Sequence, residues 1–210
     1  MEIDEAIFKR RDVRQFKSDP VPYGTLKKIL RAAHHAGSVG FMQPWNFILI
    51  EDRELRAQIK GIFLEQNRLA ARNYDGARKD LYLSLKLEGI MESPLNLCVT
   101  CDRTRKGPHV LGRNSIIDTD IYSTCCAVQN IWLAARSEGV GVGWVSIMDH
   151  AALRKILGIP EYILPVAYLC VGYPVEFKDK PMLEEVGWEN RMNLGDLVYS
   201  DQWAKPWNGK

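Results

Sequence analysis

Residues 119–138 read TDIYSTCCAVQNIWLAARSE, and in them Ile121, Cys125, Val128, Trp132 and Ala135 recur at intervals of three and four. That spacing predicts an α-helix. Its apolar character is near-continuous, so the expectation is burial on most sides. Gly139 follows as a C-cap. The chain continues Gly139-Val-Gly-Val-Gly-Trp-Val-Ser146. A dinucleotide fingerprint needs a strand, then a glycine turn, then a helix N-terminus. Here the glycines leave a helix and enter a strand at 142–147, which excludes a Rossmann reading.

The pattern extends outward from this centre. Residues 4–12 read as a helix with Asp4 as its cap, and a second helix runs from about Thr25 with Gly37 placed to end it. Residues 46–51 and 95–101 read as strands, and 53–74 and 77–91 as charged helices, the second closed by Pro94. Residues 103–118 read as a loop, 150–157 as a short helix and 165–171 as a strand. The tail after 181 is irregular and carries Trp188, Trp203 and Trp207. Helices outnumber four or five strands that share one core, so the class is α+β, in a single domain over 1–210. The buried-looking central helix and the wrapping tail point to a core completed by a second subunit.

Composition narrows the function. The chain has 210 residues, 46% hydrophobic and 26% charged, with net charge +2. That balance implies no nucleic-acid and no membrane partner. There is no run of 18 apolar residues, and the early acids of MEIDEAIFKRRDVR argue against a secretory signal. The odd count of five cysteines, all in regular-looking apolar segments, reads as reduced cytosolic thiols. Cys98 and Cys101 have redox spacing but lie along a strand, where core packing is the better reading. His34, His35, His109 and His150 have no ligand-spaced neighbours, so no metal site is expected. No Gly-x-Ser-x-Gly motif or Ser/His/Asp arrangement is apparent.

Three constellations remain. Arg10-Arg11-Asp12-Val13-Arg14, read as the end of the first helix, is either a solvated charged face or a guanidinium clamp for one phosphate. Gly37-Ser-Val-Gly-Phe-Met-Gln-Pro-Trp45 is either a helix-to-strand loop or a place where backbone approaches a ligand, with Ser38 and Gln43 as polar groups. Ser146 is either a satisfied hydroxyl or a strand-end group facing a ligand. Asp12 either neutralises its arginines or serves as a base; the arginines lower its pKa and burial raises it.

Arg-Arg-Asp-Val-Arg followed by Ser-Val-Gly-Phe-Met-Gln-Pro-Trp resembles the FMN-binding segments of the nitroreductase superfamily. Asp12, where serine is common, and Phe41, near the usual asparagine, resemble one branch, the 5,6-dimethylbenzimidazole synthases (BluB). Residues 85–90, 98–105, 122–130 and 141–147 resemble the same branch, and the likeness runs from about residue 5 to residue 200. It implies a central, mostly antiparallel sheet flanked by helices in an intertwined homodimer, with FMN at the interface. Arg10, Arg11, Asp12, Val13 and Arg14 would hold the phosphate and ribityl end, with Arg191 as helper. Ser38, Gly40 and Gln43 would come from the partner or the facing wall, with the Gly40 N–H at flavin N5. Trp144 and Ser146 would line the opposite side, and residues 53–91 would form a lid.

The implied reaction is oxygen-dependent breakdown of reduced FMN to 5,6-dimethylbenzimidazole and erythrose 4-phosphate. Asp12 would be the proton-transfer residue and Ser146 the second catalytic residue, with reduced FMN supplied by a separate flavin reductase in the cytoplasm. Two other functions share the flavin contacts: an NAD(P)H-dependent nitroreductase or quinone reductase, and a non-catalytic FMN carrier.

Overall fold

The computed structural model describes residues 1–207, which form two compact units, 1–177 and the tail from 178. In the first unit the chain runs α1 (Ile3–Lys9), α2 (Tyr23–His34), β1 (Trp45–Ile50), α3 (Arg53–Ala70), α4 (Gly76–Ser84) and β2 (Leu95–Asp102). It continues as α5 (Thr119–Ser137), β3 (Gly141–Trp144), α6 (His150–Leu157) and β4 (Ile163–Gly172). The described part of the tail holds a four-residue helix, α7 (Met182–Glu185), a 3-10 turn at Leu194–Leu197 and an isolated bridge between Tyr199 and Pro206. Its boundary falls three residues before the 181 read from sequence.

The four strands form one antiparallel sheet in the order β1-β2-β4-β3. Strand alternation sends Leu95, Leu97 and Val99 to one face, where α2 and α5 cover them, and Cys98 to the other, with Ile59 and Phe63 of α3 and Leu153 of α6. Each fully buried aliphatic side chain contributes about 1.5–3 kcal/mol. Cys98 and Cys101, three apart on a strand, therefore face opposite ways. Burial pushes the Cys98 and Cys170 thiols up to about 12 and Cys101 to about 11, so all three stay protonated. Among the described residues no helix is long and apolar enough to cross a membrane, and no group of three His, Cys, Asp or Glu could hold a metal.

The structure corrects several sequence expectations. In α5 the buried face is Asp120, Thr124, Ala127, Val128, Ile131 and Ala135, while Tyr122, Cys125, Cys126 and Gln129 are exposed. The helix is thus covered on one side in this chain, not on most sides. Helix α1 starts at Ile3 and ends at Lys9; Asp4 lies inside its first turn, where its charge meets the helix dipole without capping. Helix α2 begins at Tyr23 behind Pro22 and closes on His35, two residues before Gly37. Helix α4 stops at Ser84 instead of continuing to 91. Tertiary contacts override helix propensity there: buried Glu88 accepts the Ile90 N–H at 2.8 Å and pairs with Lys60 and Lys86, and a Cβ on Gly89 would run into the Phe16 ring.

Gly61 is exposed inside α3, and an added Cβ there meets nothing within 4 Å. Gly61→Ala is expected to raise stability by about 0.5–1 kcal/mol in denaturant melts, since glycine mid-helix costs that much relative to alanine.

Candidate functional site

The Arg10–Arg14 segment is not a helical turn. Arg10 leaves α1 with extended backbone (φ −62°, ψ 136°), and the chain then runs parallel to β3 along the sheet edge. The Val13 N–H donates to the Val142 carbonyl at 3.0 Å. Gly141 and Gly143 make this approach possible: a Cβ on Gly141 would press on the Val13 side chain, and one on Gly143 would fall on the Val13 carbonyl. The glycine run of β3 therefore serves strand packing.

On this edge Asp12 and Arg14 grip both polar groups of one residue. Asp12 Oδ1 accepts the Trp144 N–H at 2.8 Å, and Arg14 Nη2 donates to the Trp144 carbonyl at 2.6 Å. Arg14 Nη2 also pairs with Asp12 Oδ2. The Arg10 guanidinium lies 4.8 Å over the Trp132 ring, whose Nε1 donates to the Val142 carbonyl at 2.9 Å. The Trp132 and Trp144 rings are 5.8 Å apart.

Desolvation by the surrounding protein raises the Asp12 pKa above its ordinary value, outweighing Arg14, the Trp144 N–H and Arg10, which all act to lower it. Arg11 goes elsewhere. It donates to the Phe8 and Arg10 carbonyls at 2.8 and 2.7 Å, and its charge reaches Arg136. The Val13 side chain is buried in the core, so it packs the segment down. The structure thus gathers Arg10, Asp12, Arg14 and Trp144, and turns Arg11 to the end of α1.

The second constellation is a short loop ending at β1. Val39–Phe41 form a 3-10 turn, and Gly40, Phe41 and Gln43 have φ of 59°, 50° and 48°. Two left-handed residues that are not glycine, so close together, mark stored strain of the kind found at ligand sites. Gly40 must be glycine, because a Cβ would fall on the Leu111 carbonyl. The loop is held by the Gln43 N–H on Ser38 Oγ and the Val39 N–H on Ser123 Oγ, both at 3.2 Å.

These two constellations stand at opposite sheet edges. Four inter-strand steps separate Asp12 from β1, about 19 Å at the usual spacing. Ser146 lies on the Asp12 side, exposed, two residues past Trp144, where it lines a recess of about 100 Å³ with Met148, His150 and Tyr168. Arg191 is exposed within the tail unit. In the 53–91 region the first half of α3 is anchored by buried Ile59 and by Arg56, which donates to the Ser93 carbonyl at 2.5 Å.

Trp132, Ser123 and Leu111 are not read as site residues from sequence. Trp132 and Ser123 carry only a helical-core signal, and Leu111 sits in a polar loop; their contacts to the two constellations are made at long range.

The chain belongs to the nitroreductase family, whose model matches residues 7–173. It is similar to a protein of Rhodospirillum rubrum named 5,6-dimethylbenzimidazole synthase, with 42% identity over 188 residues, 89% of each chain. Among solved structures it is similar to oxidized iodotyrosine deiodinase bound to FMN and 3-iodo-L-tyrosine, with TM-score 0.71 and 25% identity, covering 85% of this chain and 93% of that one. A BluB-like flavoprotein from Clostridium difficile 630 shares the fold at TM-score 0.71 and 19% identity, covering 96% of this chain and all of that one.

Proposed function

We propose that this chain carries out the oxygen-dependent fragmentation of reduced FMN to 5,6-dimethylbenzimidazole and erythrose 4-phosphate. The observation that carries the reading is Asp12: a carboxylate of raised pKa, held on the Trp144 N–H between two arginines. A flavoenzyme that only relays hydride has no need of a proton-transfer group set in its phosphate clamp. The identity to the Rhodospirillum rubrum synthase over 89% of both chains supports the same reading.

The residues fit FMN. Arg14 Nε and Nη1 are buried and make no hydrogen bond among the described residues, donors whose desolvation an anion at this edge would offset. When bound, FMN supplies both the redox chemistry with O2 and the carbon skeleton of the product. Arg10 and Arg14 hold its phosphate and ribityl end, and Val13 packs the segment; Arg11 donates to the Phe8 and Arg10 carbonyls instead. Asp12 moves a proton near the ribityl chain. Ser146 orients ribityl hydroxyls, and Trp144 lines that wall. Ser38, Gly40 and Gln43 act on the flavin of a second copy, because their own edge lies about 19 Å from their own Asp12. Exposed Phe8, Phe41, Leu111 and Tyr122 supply apolar surface for that homodimer. Residues 53–91 act as a lid that excludes water, its moving part the end of α3 beyond the buried Phe63 together with α4. A separate flavin reductase provides reduced FMN, in the cytoplasm.

The test is direct. Protein is mixed with excess reduced FMN, air is admitted, and small molecules are separated by liquid chromatography with mass detection. A species with the mass and retention time of 5,6-dimethylbenzimidazole is expected. Quantitative recovery of intact FMN rejects the reading, and rapid NAD(P)H oxidation with a nitroaromatic acceptor would then identify a conventional nitroreductase.

A further inference from the structure

Arg105 lies in the polar loop after β2, outside every residue assigned above. Its Nη1 donates to the Gln43 carbonyl at 3.0 Å and the Trp45 carbonyl at 3.3 Å. Its Nη2 donates to Asn46 Oδ1 at 2.6 Å and Asp102 Oδ2 at 3.4 Å. The first three acceptors straddle Pro44, which has no N–H of its own to tie the chain down. Gln43 is one of the two left-handed residues with a Cβ in the 38–43 loop. Its N–H is already held by Ser38 Oγ, so with Arg105 both of its main-chain polar groups are fixed. A disfavoured backbone conformation persists only where its surroundings over-determine it. The same polar loop braces the other end of the strained turn, where the Leu111 carbonyl lies against Gly40.

We propose that Arg105 is a positioning residue for the flavin-facing loop, holding Gln43 left-handed so that the Ser38–Gln43 backbone is set before flavin arrives. The identity of the ligand rests on the functional reading above. A lysine would keep the charge but present a single point instead of a planar fork, and could not serve both sides of Pro44. Glycine at 43 adopts positive φ without steric cost, so it removes the need for the brace.

Arg105→Lys and Gln43→Gly are made singly and together. Two readouts are taken: amide hydrogen exchange over residues 38–46 without flavin, and the anaerobic Kd for dithionite-reduced FMN followed by tryptophan fluorescence. Arg105→Lys is expected to speed exchange in that segment at least about tenfold and to weaken FMN binding about tenfold. The single-turnover rate at saturating reduced FMN stays within about threefold. In the Gln43→Gly background, Arg105→Lys weakens binding by less than about threefold. Unchanged exchange and affinity in Arg105→Lys overturn the proposal. Equal losses in both backgrounds also overturn it, since they make Arg105 a general fold residue. If Arg105→Lys fails to fold, Asn46→Ala removes the shortest of the four anchors and carries the same expectations. Failure of the wild type to form 5,6-dimethylbenzimidazole would reject the synthase reading and leave these binding and exchange results to decide on Arg105.

Discussion

Asp12→Asn is expected to bind reduced FMN and yet to give at least about 100-fold less 5,6-dimethylbenzimidazole than the wild type. A positioned proton-transfer group contributes about 10²–10⁴-fold. Asparagine keeps an oxygen for the Trp144 N–H and loses the charge paired with Arg14. Asp12→Ala loses both. If Asp12 acts by moving a proton, the two variants lose product alike. If it acts only by holding Trp144, Asp12→Ala is much the worse and loses flavin as well. A yield from Asp12→Asn within threefold of the wild type overturns the assigned role.

Stability gives an independent check on the same residue. Because its pKa is raised in the fold, mainly by desolvation, the folded chain holds this proton more tightly than the unfolded chain does. That contribution is complete below the ordinary aspartate range and is lost as pH rises through the raised folded value. Above that raised value the charged Asp12 holds the fold less well than the protonated one does. Asp12→Asn should melt no lower than the wild type at pH 7, and any gap between them should close as pH falls below the aspartate range.

The sequence was most legible where local pattern and tertiary packing agree. The α5 and α6 helices and the β2 and β4 strands fall where local pattern puts them; in α6 the structure adds the caps, with Asp149 accepting the Ala152 N–H and Gly158 closing the helix at φ 63°. It was least legible where long-range contacts decide. Nothing local says that residues 85–94 abandon the helix for Glu88's ion pairs and the Phe16 ring. Nothing local says that Arg10–Arg14 run as an extended edge. Read as one helical turn, the three arginines look like a single clamp. In extended backbone Arg10, Asp12 and Arg14 share a side by alternation, and Arg11 turns to the Phe8 and Arg10 carbonyls. The strained loop announced itself through glycine, proline and tryptophan, but its brace, Arg105, sits some sixty residues away in a stretch whose local pattern is that of a polar loop.

Gly143→Ala should be among the most damaging single substitutions in the chain, although it adds one methyl group. Its Cβ would fall on the Val13 carbonyl and lie 3.0 Å from Arg14 Nη1. The backbone on both sides is committed: Gly143 is paired with Cys170 in the sheet, and the Val13 N–H is bonded to Val142. The Arg10–Arg14 edge must therefore retreat, and the bonds from Asp12 and Arg14 to Trp144 break with it. Overpacking of this kind costs about 1–3 kcal/mol, and each hydrogen bond to a charged group adds about 1.5–3 kcal/mol. A stability loss of about 3 kcal/mol or more is expected in denaturant melts, with reduced FMN bound at least about tenfold more weakly. Gly141→Ala provides the comparison, because its Cβ would meet the Val13 side chain at 2.7 Å, and a side chain can shift more readily than a carbonyl. Its loss should be the smaller of the two. Should Gly141→Ala prove more damaging than Gly143→Ala, the close approach of the Val13 carbonyl would not be what fixes the arginine edge, and the clamp would have to owe its position to the burial of Val13 and Phe16 instead.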